Sequence, residues 1–146
     1  MTNVSSFGQA QGVQVIAHLD SPTYRPLQRL RLTVDITIDA GLHAYGQPIP
    51  EGFIPVSIDV APLHGLIVGT PEFPAPTLHR IEGLEEDFYI YEGTLTVTIP
   101  LTFSQAVDDP IISLTVGYQA CSDEAGCFMP QKIQLRVPVP PEAHTG

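Results

Sequence analysis

Cysteine occurs twice in this chain, as Cys121 and Cys127, inside the stretch GYQACSDEAGCF (Gly117–Phe128). Such a pair can cross-link the fold passively, ligate a metal, or open and close as a redox couple. In one extended strand two residues with this spacing would lie roughly 20 Å apart. A disulfide needs Cα atoms within about 7 Å, so the sulfurs meet only if the chain reverses between them. Ser122, Asp123, Glu124 and Gly126 supply that reversal: Ser and Asp start turns and glycine accepts a positive φ. The spacing predicts a hairpin in which Cys121 ends one strand and Cys127 begins the next, with Pro130 limiting the regularity of the second.

A passive staple has little to add here. Closing a loop of about seven residues removes only about 2.4 kcal/mol of unfolded-state entropy on the chain-entropy model. At 146 residues the chain is long enough to bury a substantial core without help. Zinc asks for four ligands, commonly with a second cysteine pair, and only His43, Met129 or a carboxylate could complete a site here. Redox couple, structural disulfide and metal-bound or free thiols all remain open on this evidence.

The elements that must position the pair follow a period of two. Leu30, Leu32, Val34, Ile36 and Ile38 alternate with polar residues, as do Leu95, Val97, Ile99, Leu101 and Phe103. Ile112, Leu114, Val116 and Tyr118 form a third set, Ile133, Leu135, Val137 and Val139 a fourth, and Val13, Val15, Ala17 and Leu19 a fifth. Weaker strands are expected at Val56–Val60 and Leu66–Val68. Strict alternation marks strands with one buried and one wet face, and no segment carries a helical stripe. The expectation is an all-β, immunoglobulin-like β-sandwich, one domain over residues 1–146 with frayed ends at about 1–10 and 140–146. Pro100 and Pro138 fall on the polar parity of their strands, which suits edges or bends. Cys121 has the opposite parity to Ile112–Tyr118, so a regular strand points it away from the core the aliphatics fill.

Two segments are too rich in functional groups for mere connectors. Ala40–Pro55 carries His43, Tyr45 and Phe53 amid Gly and Pro, and Glu82–Glu92 reads EGLEEDFYIYE. On all-β scaffolds binding and catalytic groups concentrate on loops of this kind.

Charge narrows the function further. Six Lys+Arg against 16 Asp+Glu give a formal charge of -10, a field that repels nucleic acid and anionic membrane surfaces. No apolar run is long enough to span a bilayer. The N-terminus MTNVSSFGQAQG lacks the pattern of an export signal. The expectation is either a cytoplasmic protein or a mature or excised domain given a new start methionine.

Three segments together resemble the N-terminal periplasmic domain family of the thiol:disulfide interchange protein DsbD. Tyr118-Gln119-Ala120-Cys121, five residues, then Cys127-Phe128-x-Pro130 resembles its active-site hairpin. Gly41-Leu42-His43-Ala44-Tyr45 with Pro48 resembles its Gly-aromatic/His-x-Tyr segment, and Glu86-Asp87-Phe88-Tyr89 its cap loop. The likeness runs from about residue 10 to 140. It implies an immunoglobulin-like electron-passing module, without cofactor or metal, in a periplasmic or other extracytoplasmic location. Partners would be thioredoxin-fold proteins engaged by transient mixed disulfides, including a thioredoxin-like domain recharged by a transmembrane electron conduit. By position, Cys127 would form the mixed disulfide and Cys121 would resolve it. Phe88 would cap the sulfurs, with Glu86, Asp87 and Tyr89 beside it in the cap loop, and His43 and Tyr45 would line the site. The family often has Tyr where His43 stands. Two departures bear on the turn: family members commonly carry a glycine earlier than Gly126, and Met129 replaces a second proline.

No Lys or Arg lies within the hairpin, which carries Asp123 and Glu124, and Glu86 and Asp87 are expected beside it. These charges predict an ordinary or raised pKa for the Cys127 thiol, with a carboxylate or His43 as proton relay. The alternatives are an immunoglobulin-like binding module with an inert disulfide, and a metal-handling domain using Cys121, Cys127, His43 or Met129.

Overall fold

A computed structural model of the chain describes residues 5–80 and 87–142. Every regular element among them is a strand. In chain order these are β1 (Ser5–Ala10), β2 (Val13–Leu19), β3 (Arg29–Ile38), β4 (Ala44–Tyr45) and β5 (Ser57–Val60). There follow β6 (Leu66–Val68), β7 (Thr77–Arg80), β8 (Asp87–Tyr91) and β9 (Thr94–Phe103). The chain closes with β10 (Ile111–Tyr118), β11 (Cys121–Ser122), β12 (Gly126–Cys127) and β13 (Gln131–Pro138).

One antiparallel sheet has the order β1-β2-β3-β9-β6 and a second the order β13-β10-β5. The alternation seen in the sequence decides what lies between them. Val15, Ala17, Leu32, Val34, Val97, Ile99, Ile112, Val116 and Val137 are all fully buried, and the polar residues between them face out. Each Val, Leu or Ile among them contributes about 1.5–3 kcal/mol over leaving it in water. This is the expected immunoglobulin-like, all-β fold. Pro100 sits in β9 with its carbonyl accepting from Gly69 N at 2.8 Å. Its nitrogen faces the same side, where short β6 has ended, so the ladder with β3 loses no donor.

The ends depart from expectation. Residues 5–10, expected to fray, are β1, which pairs with β2 from Ser5↔His18 to Ala10↔Val13. Its backbone also closes on β13: a Cβ at Gly8 would lie 2.6 Å from Ile133 Cγ2, so only glycine permits the approach. Near the C-terminus, Tyr24 N donates to Pro140 O and Glu142 N to Tyr24 O, at 3.1 and 3.0 Å. Backbone pairing, invisible to a hydropathy pattern, holds both segments.

A second structural unit lies at one end of the sandwich. Strands β4, β8 and β7 form a small antiparallel sheet in the order β4-β8-β7, and β11 and β12 form a hairpin. Both segments expected to be functional loops therefore contain strands, β4 in the first and β8 in the second.

Candidate functional site

The hairpin β11–β12 pairs Cys121 with Cys127 and Ser122 with Gly126. The two cysteines form a disulfide with Cα atoms 4.0 Å apart. The turn is held by Ala125 N donating to Ser122 Oγ at 2.8 Å, and the chain re-enters the strand at Gly126 with φ 78°. That left-handed conformation costs a residue with a Cβ roughly 1–2 kcal/mol. A glycine directly before Cys127 thus stands where this turn needs one, which answers the departure noted at that position.

The hairpin is stitched to the small sheet through His43. His43 N donates to Cys121 O and Cys121 N to His43 O, both at 2.9 Å. Two residues on, Tyr45 pairs with Ile90 of β8, while Phe88 pairs with His79 of β7. Directly opposed residues of antiparallel strands share a face, as do residues two apart. One face thereby collects Cys127, Cys121, His43, Tyr45, Ile90, Phe88 and His79. Tyr45, Phe88, Ile90 and Cys121 make a buried apolar cluster separate from the main core, with Ile49 and Phe53 packed against it. Cys121 thus points away from the main core, as its parity predicted, yet it is buried in a smaller one.

The two sulfurs differ in access. Cys121 is only 2% exposed, whereas Cys127 lies on the exposed side of the hairpin. The Tyr45 hydroxyl stands 3.9 Å from Cys127 Sγ. Around it the rings of Tyr45, Phe53 and Phe88 pack mutually at centroid distances of 5.1–5.7 Å. Burial, then the Asp123 carboxylate, pushes the Tyr45 phenol above its ordinary pKa, so it stays a hydrogen-bond donor.

His43 is the one buried polar residue of the described core, 4% exposed. Its Nδ1 lies 4.0 Å from Asp123 Oδ1, and its Nε2 is buried without a hydrogen-bond partner. His79 Nε2 reaches the same Asp123 oxygen at 3.3 Å, and the two imidazole centroids are 5.4 Å apart. Burial lowers the His43 pKa, opposed by Asp123, reinforced by His79 and opposed again by Glu92. Beside this group a groove of about 530 Å³ opens to solvent, lined by Asp39, Leu42, His43, Glu92, Asp123 and Glu124.

Not every expected residue joins this face. Asp87 and Tyr89 alternate with Phe88 and project from the other side of β8, where Asp87 accepts from Arg80 Nε at 3.2 Å. Glu86 lies outside the described residues. His79 was missed because β7 is four residues long, preceded by Pro74 and Pro76, and only its register against Phe88 brings it to the hairpin. Among the described residues no group of three or more His, Cys, Asp or Glu is placed to hold a metal, and Met129 is 77% exposed.

Residues 14–138 match the family model described as thiol:disulfide interchange protein DsbD, N-terminal. Three solved structures share the fold. The N-terminal periplasmic domain of ScsB from Proteus mirabilis is 16% identical, with a TM-score of 0.65 over 93% of this chain and 51% of that one. This chain thus spans about half of that structure. The reduced DsbD N-terminal domain of Neisseria meningitidis is 17% identical, with a TM-score of 0.53 over 99% and 90%. A complex between the DsbD and PilB N-terminal domains of the same organism is matched at 15% identity and 0.53 over 97% and 89%. No curated protein sequence matches the chain.

Proposed function

The chain belongs to the DsbD N-terminal domain family, and from that premise we propose that it is a thiol:disulfide exchange module, a protein-disulfide reductase working through a reversible Cys121–Cys127 disulfide. One observation carries the reading: a disulfide across neighbouring strands with one sulfur exposed and the other buried among aromatics. Exposed Cys127 is the sulfur a partner can reach, and buried Cys121 resolves the mixed disulfide from within.

In the reduced module the Cys127 thiolate attacks a partner disulfide and expels one partner thiolate. Cys121 then attacks Cys127 Sγ, the intermolecular bond breaks, and the second partner thiolate leaves. Two electrons pass to the partner. Tyr45 lines the exposed sulfur and offers it a hydroxyl, while Phe88 covers the buried one. His43 flanks Cys121 through the backbone bridge. Asp87 and Tyr89 belong to the cap segment rather than to the sulfurs' own surroundings, and Glu86 is proposed as part of the same segment.

Thioredoxin-fold proteins are the proposed partners, and a transmembrane electron conduit the proposed ultimate source. The solved pairing of a DsbD N-terminal domain with a PilB N-terminal domain supports a protein partner. The family and the ScsB periplasmic domain support an extracytoplasmic location.

Redox titration combined with trapping tests this reading. A potential of roughly -180 to -270 mV and a stable mixed disulfide in Cys121→Ser are expected; a potential below about -300 mV identifies an inert staple in a binding module.

A further inference from the structure

A buried thiol cannot attack until its proton leaves, and nothing in the exchange reading says where the proton of Cys121 goes. Water has poor access, because Cys121 is 2% exposed and packed with Tyr45, Phe88 and Ile90. Of the two buried polar side chains on the same face, the Tyr45 phenol has its pKa raised and stays protonated, whereas His43, its backbone doubly hydrogen-bonded to that of Cys121, offers a base. In such a pair the two side chains project together from the sheet.

The imidazole is oriented. Nδ1 faces the Asp123 carboxylate at 4.0 Å, which favours the tautomer with its proton on Nδ1. Nε2 is then a bare lone pair, buried and without a partner. An unpaired buried acceptor costs about 1–3 kcal/mol, a cost with no structural return in the disulfide state. The carboxylate is itself held by His79 Nε2 at 3.3 Å. Asp123 is 60% exposed and borders the groove beside His43. The paired backbones thus set a buried base beside the buried cysteine, and the base in turn faces a carboxylate that borders solvent.

We propose that His43 is the proton acceptor for Cys121 in the resolving step, oriented by Asp123, with His79 as the positioning residue that holds the carboxylate. The proposal rests on the exchange reading given above. As Cys121 attacks Cys127 Sγ, its thiol proton passes to His43 Nε2 and the partner sulfur departs as thiolate. The S–S bond to the partner breaks, the Cys121–Cys127 bond forms, and the imidazolium then releases its proton toward Asp123 and the groove. In the reverse direction the same imidazolium protonates the Cys121 leaving group. The arrangement matches the nucleophile–imidazole–carboxylate logic of hydrolases, applied here to a thiol that resolves rather than initiates. The charged and titratable groups around the ring are Asp123 on the hairpin, His79 on β7, Glu92 after β8, and Tyr45 and Cys121 on its own face. Asp39 lies across the groove. Burial dominates and keeps the imidazole neutral at neutral pH, as a base must be.

A chromogenic aryl disulfide mixed with fully reduced protein separates the two steps. The first aryl thiolate released reports attack by Cys127, and the second reports resolution by Cys121. In His43→Gln the first release is expected to keep its rate and the second to slow about 100-fold, the low end for a positioned base. The wild-type second release levels off above the His43 pKa, below 6.5; in His43→Gln it climbs with the thiol's own ionisation. Asp123→Asn, an exposed change that leaves the fold intact, is expected to slow the second release and move its inflection to lower pH. His79→Gln is expected to slow the second release by less and, because His79 lowers the His43 pKa, to move the inflection toward higher pH. Unchanged second release in both His43→Gln and Asp123→Asn, with the wild-type pH profile, overturns the proposal. Failure of the wild type to make a second release at all overturns the exchange reading itself.

Discussion

The Tyr45 hydroxyl and the Cys127 sulfur stand 3.9 Å apart across two strands that are 82 residues distant in sequence. In the disulfide this contact has little to stabilise. In the reduced state the same hydroxyl is expected to donate to the Cys127 thiolate, and a donor to a charged acceptor contributes more than one to a neutral group. Tyr45→Phe keeps the ring packing with Phe53 and Phe88. It is expected to raise the Cys127 thiol pKa by about one unit, which corresponds to about 1.4 kcal/mol. The pH dependence of alkylation of the reduced protein measures it; an unmoved titration removes Tyr45 from the chemistry.

Phe88 is 1% exposed and packs with Tyr45, Phe53 and Cys121. Since Cys127 is already exposed, the shelter Phe88 provides falls on Cys121. Phe88→Ala is expected to cost about 3 kcal/mol in denaturant unfolding and to accelerate alkylation of Cys121 well beyond that of Cys127. Mass spectrometry of the reduced protein after a timed alkylation decides between the two cysteines. Equal protection of Cys121 in variant and wild type counts against a cap.

Gly126 has φ 78° with open space where a Cβ would stand. Gly126→Ala is therefore expected to destabilise the oxidised protein by about 1–2 kcal/mol through backbone conformation alone. The tell-tale is an easier reduction of the disulfide with unchanged packing of Tyr45 and Phe88, read from reduction potential and aromatic signals in parallel.

Stability is expected to fall at both ends of the pH scale for identifiable reasons. His43 has a pKa lowered from 6.5, so the unfolded chain binds the proton more readily. The stability linked to His43 is complete above pH 6.5 and is lost as pH falls toward its folded pKa. Tyr118, whose hydroxyl donates to Gln11 O at 2.9 Å, has its phenol pushed up to about 12 by burial, then by Asp39. Its stabilising share persists up to an unfolded value of 10.0 and is lost between there and 12. His43→Gln should flatten the acid limb and Tyr118→Phe the alkaline one, in thermal melts across pH.

The long strands were legible because each has one dry face: the alternation of β2, β3, β9 and β13 matches their burial, as does that of β10 up to Gly117, which is buried too. Strands β1, β4 and β7 left no such trace. Ser5–Ala10 buries no residue fully and leaves Phe7 exposed, β4 is two residues long, and Thr77–Arg80 is exposed but for a partly buried His79. For these the cause is backbone pairing with a neighbour far away in sequence. The site divides along the same line. Cys121 and Cys127 announce their hairpin by spacing, and Tyr45 and Phe88 announce themselves as aromatics among polar residues. The convergence of His79 and Asp123 beside His43 arises only when β7 docks on β8, so no local pattern encodes it. Nor could the sequence distinguish the faces of β8, which send Phe88 to the sulfurs and Asp87 to Arg80.

The unequal exposure of the two sulfurs also dictates the order of traffic. On the proposed exchange reading, a donor that reduces this disulfide and an acceptor that later receives its electrons must both address Cys127, since Cys121 is enclosed. Two proteins cannot share one sulfur, so donor and acceptor take turns. Turnover then follows ping-pong kinetics, and an excess of either partner competitively inhibits the other.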